Sequence, residues 1–189
     1  MVTDDLPLEI RDDLLARYGE PHRDYHGVRH LEFGLARLEE LGAGPMERIA
    51  YWFHDAVHSN TTPDDELASA AVARELLDGH LTFREIDEVA RLVLLTITHQ
   101  PEPGDASGAM ISDADLAGLA LDWEGYQRNI DGIRFELPHV TDEQWCVGRA
   151  KVLESLLDGE HLFHTEHGRT HWEAAARANM QRELDELRR

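Results

Sequence analysis

The segment Ile49-Ala50-Tyr51-Trp52-Phe53-His54-Asp55-Ala56-Val57 is almost wholly apolar, yet it carries an adjacent histidine and aspartate. A compact fold must bury such a segment, and burying two polar side chains is costly unless something pairs with them. A metal ion satisfies both at once. Neighbouring residues of an α-helix point about 100° apart, so His54 and Asp55 reach one ion only if it lies in the wedge between them. The remaining ligands must then come from other helices.

Composition limits what that site can serve. A chain of 189 residues with 42% hydrophobic content suits one domain over residues 1–189 and is short for two. The formal net charge of −20, with a pI near 4.8, excludes a broad nucleic-acid surface, which needs clustered Lys and Arg. A small anionic substrate remains compatible, because salt screens a distant acidic surface over about 10 Å. Lys151 is the only lysine, so nearly all positive charge is arginine. The lone cysteine, Cys146, excludes an intramolecular disulfide and a CxxC zinc site, and its place between Trp145 and Val147 reads as a small core residue. No apolar run follows a basic start and none is long enough to cross a bilayer, which predicts a cytoplasmic protein with no membrane partner.

Periodicity predicts an all-α fold of about eight or nine helices. Leu6, Ile10, Leu14 and Tyr18 mark the first, and Val28 to Leu41, with Leu31, Leu35 and Leu38, the second. Pro45 opens the third, which is expected to contain His54 and Asp55 and to fray at His58-Ser59-Asn60. Thr62 reads as a cap with Pro63 at the first position of the fourth. Thr82 and Glu85 form a capping box for a fifth that ends near His99. Pro101 to Gly108 reads as a mobile lid, and Ser112 starts a short helix carrying Asp115 in its first turn. Tyr126 to Leu137 follows, then a capping box at Thr141 and Gln144, and the same signature at Thr170 and Glu173 before a last helix with a fraying, charged end.

His30, 24 residues before His54 on the preceding helix, and Asp115 well downstream complete a set of histidine, His-Asp dyad and distant aspartate from three helices. Imidazole with carboxylate suits Mn, Fe, Ni, Co or Zn better than Ca or a soft-metal site. Asp115 can also be read as a favourable acidic residue at a helix start, and Asp113 competes with it within one Asp-x-Asp.

The chain here resembles the HD superfamily of metal-dependent phosphohydrolases, and more closely a branch of predicted HD phosphohydrolases of unassigned substrate. The resembling segments are Tyr25-His26-Gly27-Val28-Arg29-His30-Leu31, Ala50 to Val57, Asp65-Glu66-Leu67-Ala68-Ser69-Ala70, Asp113-Ala114-Asp115-Leu116, Ile133-Arg134-Phe135-Glu136 and Ala176-Arg177-Ala178-Asn179. They extend over a core of about residues 20–180. The resemblance implies an HD-type domain, with His30, His54, Asp55 and Asp115 as metal ligands, and favours Asp115 over Asp113. The chain departs from that branch at His58, where tyrosine is expected, and at Asp65, where asparagine is usual.

Around that set, Glu66 is expected to orient a ligand or accept a proton from water, and Asp55 is a second acceptor. His26, four residues before His30, and His99 can bond a phosphate oxygen or protonate a leaving group. Arginine's forked donors suit phosphate, and Arg134, which lies in a segment resembling the family, is the expected phosphate-binding arginine ahead of Arg149 and Arg177. His161, His164, His167 and His171 read as a solvated histidine-rich turn. The expected activity is hydrolysis of a nucleotide or other small phosphorylated metabolite. The alternatives are a di-iron oxygenase drawing on His80 and His99, and a non-catalytic domain that binds metal and nucleotide. Helical faces bearing aromatic residues suit either a core or a homodimer contact.

Overall fold

The computed structural model describes residues 5–188, and among them every regular element is helical. In order these are α1 (Leu8–Tyr18), α2 (Val28–Glu40), α3 (Pro45–Phe53), α4 (Asp64–Leu76), α5 (Phe83–Leu95) and α6 (Ala106–Leu116). A short 3-10 helix (Ala117–Ala120) continues α6, and α7 (Trp123–Phe135), α8 (Asp142–Asp158), α9 (Glu166–His171) and α10 (Glu173–Leu187) follow. The extra helix relative to the expected eight or nine is α9, which Thr165 caps through the Gly168 N–H.

Two apolar clusters hold these helices. The spaced residues Ile10, Leu14 and Tyr18 of α1 join Leu31, Leu38, Tyr51, Trp52, Phe53, Val89, Leu92, Val93 and Ile111 in the first. The second gathers Tyr126, Leu153, Phe163, Trp172, Met180 and Leu184 from α7 to α10. Leu41, just past α2, packs against both clusters. Helix α2 lies against α3 and α6, and α4 pairs with α5. That packing brings His30, the end of α3 and the last turn of α6 to one place.

Two capping boxes form as the sequence indicates, Thr82 with Glu85 and Thr141 with Gln144. Four expected boundaries move. Helix α3 closes at Phe53, so His54 is its cap residue and Asp55 lies in the following turn. Thr62 does not cap α4; its hydroxyl donates to Glu66 Oε1 at 2.9 Å, one turn further on. The Pro101–Gly108 loop is shorter than expected because Asp105 accepts from the Gly108 N–H and starts α6 at Ala106, which puts Asp115 in the last turn of a helix rather than the first. Thr170 lies inside α9, and Glu173 instead accepts the N–H groups of Leu162 and Phe163, while α10 stays helical to Leu187. Cys146 is only half-buried on α8.

One polar network crosses the second cluster. Glu183 accepts from Tyr126 Oη at 2.5 Å and from Arg149 Nε and Nη2 at 2.8 and 3.0 Å. Truncating one partner of such a pair leaves a buried charge alone, which costs about 3–5 kcal/mol. Glu183→Ala is therefore expected to lower unfolding free energy by about that amount in urea titration, with Arg149→Met, which removes the orphaned charge, restoring part of the loss in the double variant.

Candidate metal centre

The turn that follows α3 is fixed from outside. Arg23, whose side chain is 1% exposed, donates from Nη1 to the Asp55 carbonyl at 2.6 Å and from Nη2 to the Ala56 carbonyl at 3.3 Å. A buried guanidinium thus satisfies carbonyls at a helix end that have no partner within the helix. The His54 ring is oriented in turn, since its Nδ1 donates to the Tyr51 carbonyl at 2.6 Å. That bond fixes the tautomer and leaves Nε2 as the free lone pair.

His54 Nε2 lies 3.1 Å from His30 Nε2, and the two rings face the same oxygen, Asp115 Oδ1, at 3.4 and 2.9 Å. The three donor atoms all fall within 4.8 Å of one another. Asp55 flanks them, with Oδ2 3.1 Å from His54 Nε2 and 3.6 Å from His30 Nε2. That oxygen is buried and has no hydrogen-bond partner. His99 Nε2 stands 3.5 Å from Asp115 Oδ2. Its backbone is left-handed, at φ 53°, an uncommon state for histidine, and its carbonyl accepts from His164 Nε2 at 2.9 Å.

Electrostatics here are those of a cation site. Burial raises the Asp55 and Asp115 carboxyls, but the charge and hydrogen bonds of His54 and His30 outweigh it and hold both well below the ordinary carboxylate range. Burial lowers His54, but Asp55 and Asp115 overcome this and push it well up. The carboxylates therefore keep their negative charge and draw positive charge into a nearly water-free pocket. Two buried imidazoles and two partly buried carboxylates, one with an unpaired oxygen, could hold a metal ion.

The ambiguity of the Asp-x-Asp resolves geometrically. Asp113 points away and accepts the N–H groups of His164 and Thr165, at 2.7 and 2.9 Å, and the Thr165 hydroxyl. It anchors the start of α9, while Asp115 faces the histidines. Other expectations need correction. Arg134 donates to the Leu137 and Val140 carbonyls and to Asp142, so its guanidinium staples the α7–α8 turn and is not available for phosphate. His26 does not share a helix face with His30, because it precedes α2; its Nδ1 lies 2.6 Å from Glu136 Oε2. Glu66 Oε1 accepts from Thr62 and its Oε2 is buried without a partner, but no described hydrogen bond or ion pair joins it to the centre. His80 is exposed in the turn after α4. His167 pairs with Glu40 at 2.8 Å, so the histidine-rich turn is not merely solvated.

Gly118, Arg128 and Asn129 carried no signal in the sequence; with Tyr25, Arg29 and His30 they line a cleft of about 160 Å³ that the candidate centre touches at His30. Burial, then Asp115, pushes the Tyr51 hydroxyl well up, so it remains a donor to Asp115 Oδ1, at 3.4 Å. Comparison with protein-family models, with curated proteins and with solved structures finds no match for this chain.

Tyr51 reaches that position only because residue 34 has no side chain: a Cβ on Gly34 would overlap the Tyr51 phenol ring. Gly34→Ala is expected to cost about 1–3 kcal/mol in thermal unfolding and to weaken metal binding roughly 10- to 100-fold through the displaced tyrosine. Tyr51→Phe in the Gly34→Ala background should leave the stability loss largely in place.

Proposed function

We propose that this protein is a metal-dependent phosphohydrolase acting on a nucleotide or another small phosphorylated metabolite, as the resemblance to HD phosphohydrolases implies. The observation that carries this reading is the convergence of His30, His54 and Asp115 on one point, with the unpaired Asp55 oxygen beside it. These four residues would hold the ion, drawn from Mn, Co, Ni, Fe or Zn. Lewis acidity acting on water and on a phosphoryl oxygen is the chemistry such an ion supplies when bound.

The protein's own groups divide the remaining work. Asp55 Oδ2, free of hydrogen bonds and kept ionised, would complete the ligand set, and Arg23 holds that residue's backbone still. His99 Nε2 stands beside Asp115, and burial lowers its pKa, so it is a neutral imidazole suited to bond a phosphate oxygen rather than a standing acid. Arg29 and Arg128 line the cleft at His30 as cationic donors, each also near a surface carboxylate, Asp24 or Glu124, and Asn129 adds a neutral amide. At about 160 Å³ the cleft suits a phosphate group rather than a whole nucleotide, leaving the rest of the substrate outside. Both arginine side chains are largely solvent-exposed, so their attraction for phosphate is modest and salt-sensitive.

A phosphate-release screen of nucleotides and sugar phosphates, run with Mn, Co, Ni and Mg on protein whose metal content has been verified, is expected to find turnover. Arg29→Ala and Arg128→Ala should each raise KM about tenfold with a smaller change in kcat. Silence across the whole panel with loaded protein would contradict the proposal, and tight nucleotide binding without product would favour the non-catalytic alternative.

A further inference from the structure

Beyond the centre described above, a second group of ligating side chains meets at a different point. His26 sits in the loop before α2, His58 in the turn after the dyad and Glu136 at the end of α7, and one donor atom of each lies within 4.8 Å of the other two. His26 Nδ1 is 2.6 Å and His58 Nε2 3.3 Å from the same oxygen, Glu136 Oε2. The two imidazole rings lie partly over one another, with centroids 4.1 Å apart.

The carboxylate is built in rather than incidental. Glu136 has a fully buried side chain, and its other oxygen, Oε1, accepts the backbone N–H groups of Asp24 and His26, both at 2.8 Å. Those bonds orient the group and leave Oε2 facing the histidines, the arrangement that backs a metal-ligating carboxylate. Asn60 Nδ2 ties the Glu136 carbonyl to the turn that carries His58, at 3.1 Å.

A plain histidine–glutamate ion pair accounts for His26 but not for His58. The His58 side chain is 8% exposed, and its Nε2 is buried without a hydrogen-bond partner although it points at Glu136 Oε2. Two imidazolium rings with centroids 4.1 Å apart would repel each other, whereas two neutral rings each have one lone pair to give to a shared cation. Donor atoms sharing a tetrahedral ion at about 2.1 Å stand about 3.4 Å apart. The His58–Glu136 separation of 3.3 Å already matches, and the His26–Glu136 contact of 2.6 Å needs to open by about 0.8 Å.

We propose that His26, His58 and Glu136 form a second site for a divalent transition metal such as Zn, Co or Ni, distinct in its ligands from the His30–His54–Asp115 centre. The sites are neighbours, with the His26 and His30 rings 5.7 Å apart. His58 and Glu136 also line a cavity of about 720 Å³, together with Arg17, His22 and Arg23. Three protein ligands with the remaining position facing that cavity is the coordination pattern that leaves room for water or a small oxyanion.

Full-length protein stripped by chelation and titrated with Co(II), with bound metal counted by mass spectrometry, tests this directly. The wild type is expected to hold two equivalents, His58→Phe one, Asp115→Asn one, and the double variant none, with helicity checked by circular dichroism. His58→Ala, which adds no bulk, serves if the phenylalanine variant loses its helices. Wild-type stoichiometry and affinity in a folded His58 variant would overturn the second site while leaving the proposed function intact. A single wild-type equivalent that survives Asp115→Asn and disappears in His58→Phe would uphold the second site and sink the first.

Discussion

Two imidazole nitrogens 3.1 Å apart, both against one carboxylate oxygen, form the contact on which the surrounding structure depends. Left alone, such an arrangement buries lone pairs and negative charge with little water to solvate them, which is expensive at low dielectric. The chain surrounds it with groups that only make sense as support. The Tyr51 carbonyl fixes the His54 tautomer, Arg23 closes the end of α3, and Gly34 clears space for the Tyr51 ring. Each lies on a different element, so the centre and the packing of α2 against α3 and α6 are held by the same contacts.

Much of the helical pattern was legible in the sequence because it rests on local rules. The four-residue spacing of Ile10, Leu14 and Tyr18 and the capping boxes at Thr82 and Thr141 need only nearby residues to be read. The misplaced boundaries arise where competing local caps or tertiary contacts decide. Asp105, hidden in a loop rich in proline and glycine, starts α6 ahead of the apparent signal at Ser112, and this moves Asp115 from the beginning of a helix to its end. His54 and Asp55 leave the helix because Arg23 takes over their neighbouring carbonyls. Nothing in the local sequence reports a guanidinium arriving from before α2.

The site residues divide in the same way. His30, His54, Asp55 and Asp115 were selected by residue type and by the apolar setting of the dyad, and the fold brings them together. Arg134 was chosen for its forked donors and its place in a segment resembling the family, and its donors are engaged by the α7–α8 turn. Conversely, Arg128 is distant from His30 in sequence, and only the fold places it with Arg29 on the cleft that His30 lines. His58 and Glu136 lie far apart in the chain, and nothing in their local sequence announces that they meet His26. The overall charge of −20 says little about any of these points, because what matters at the cleft is which groups lie within a screening length.

The account stands on an ion bound between His30, His54 and Asp115. The most direct measurement is an anomalous-scattering crystal structure of metal-replete protein, collected above and below the metal's absorption edge. The account predicts an anomalous peak bonded to His30 Nε2, His54 Nε2 and an Asp115 oxygen, with Asp55 beside it. Fully loaded crystals in which those atoms remain in contact with one another, and no peak lies between them, would contradict it.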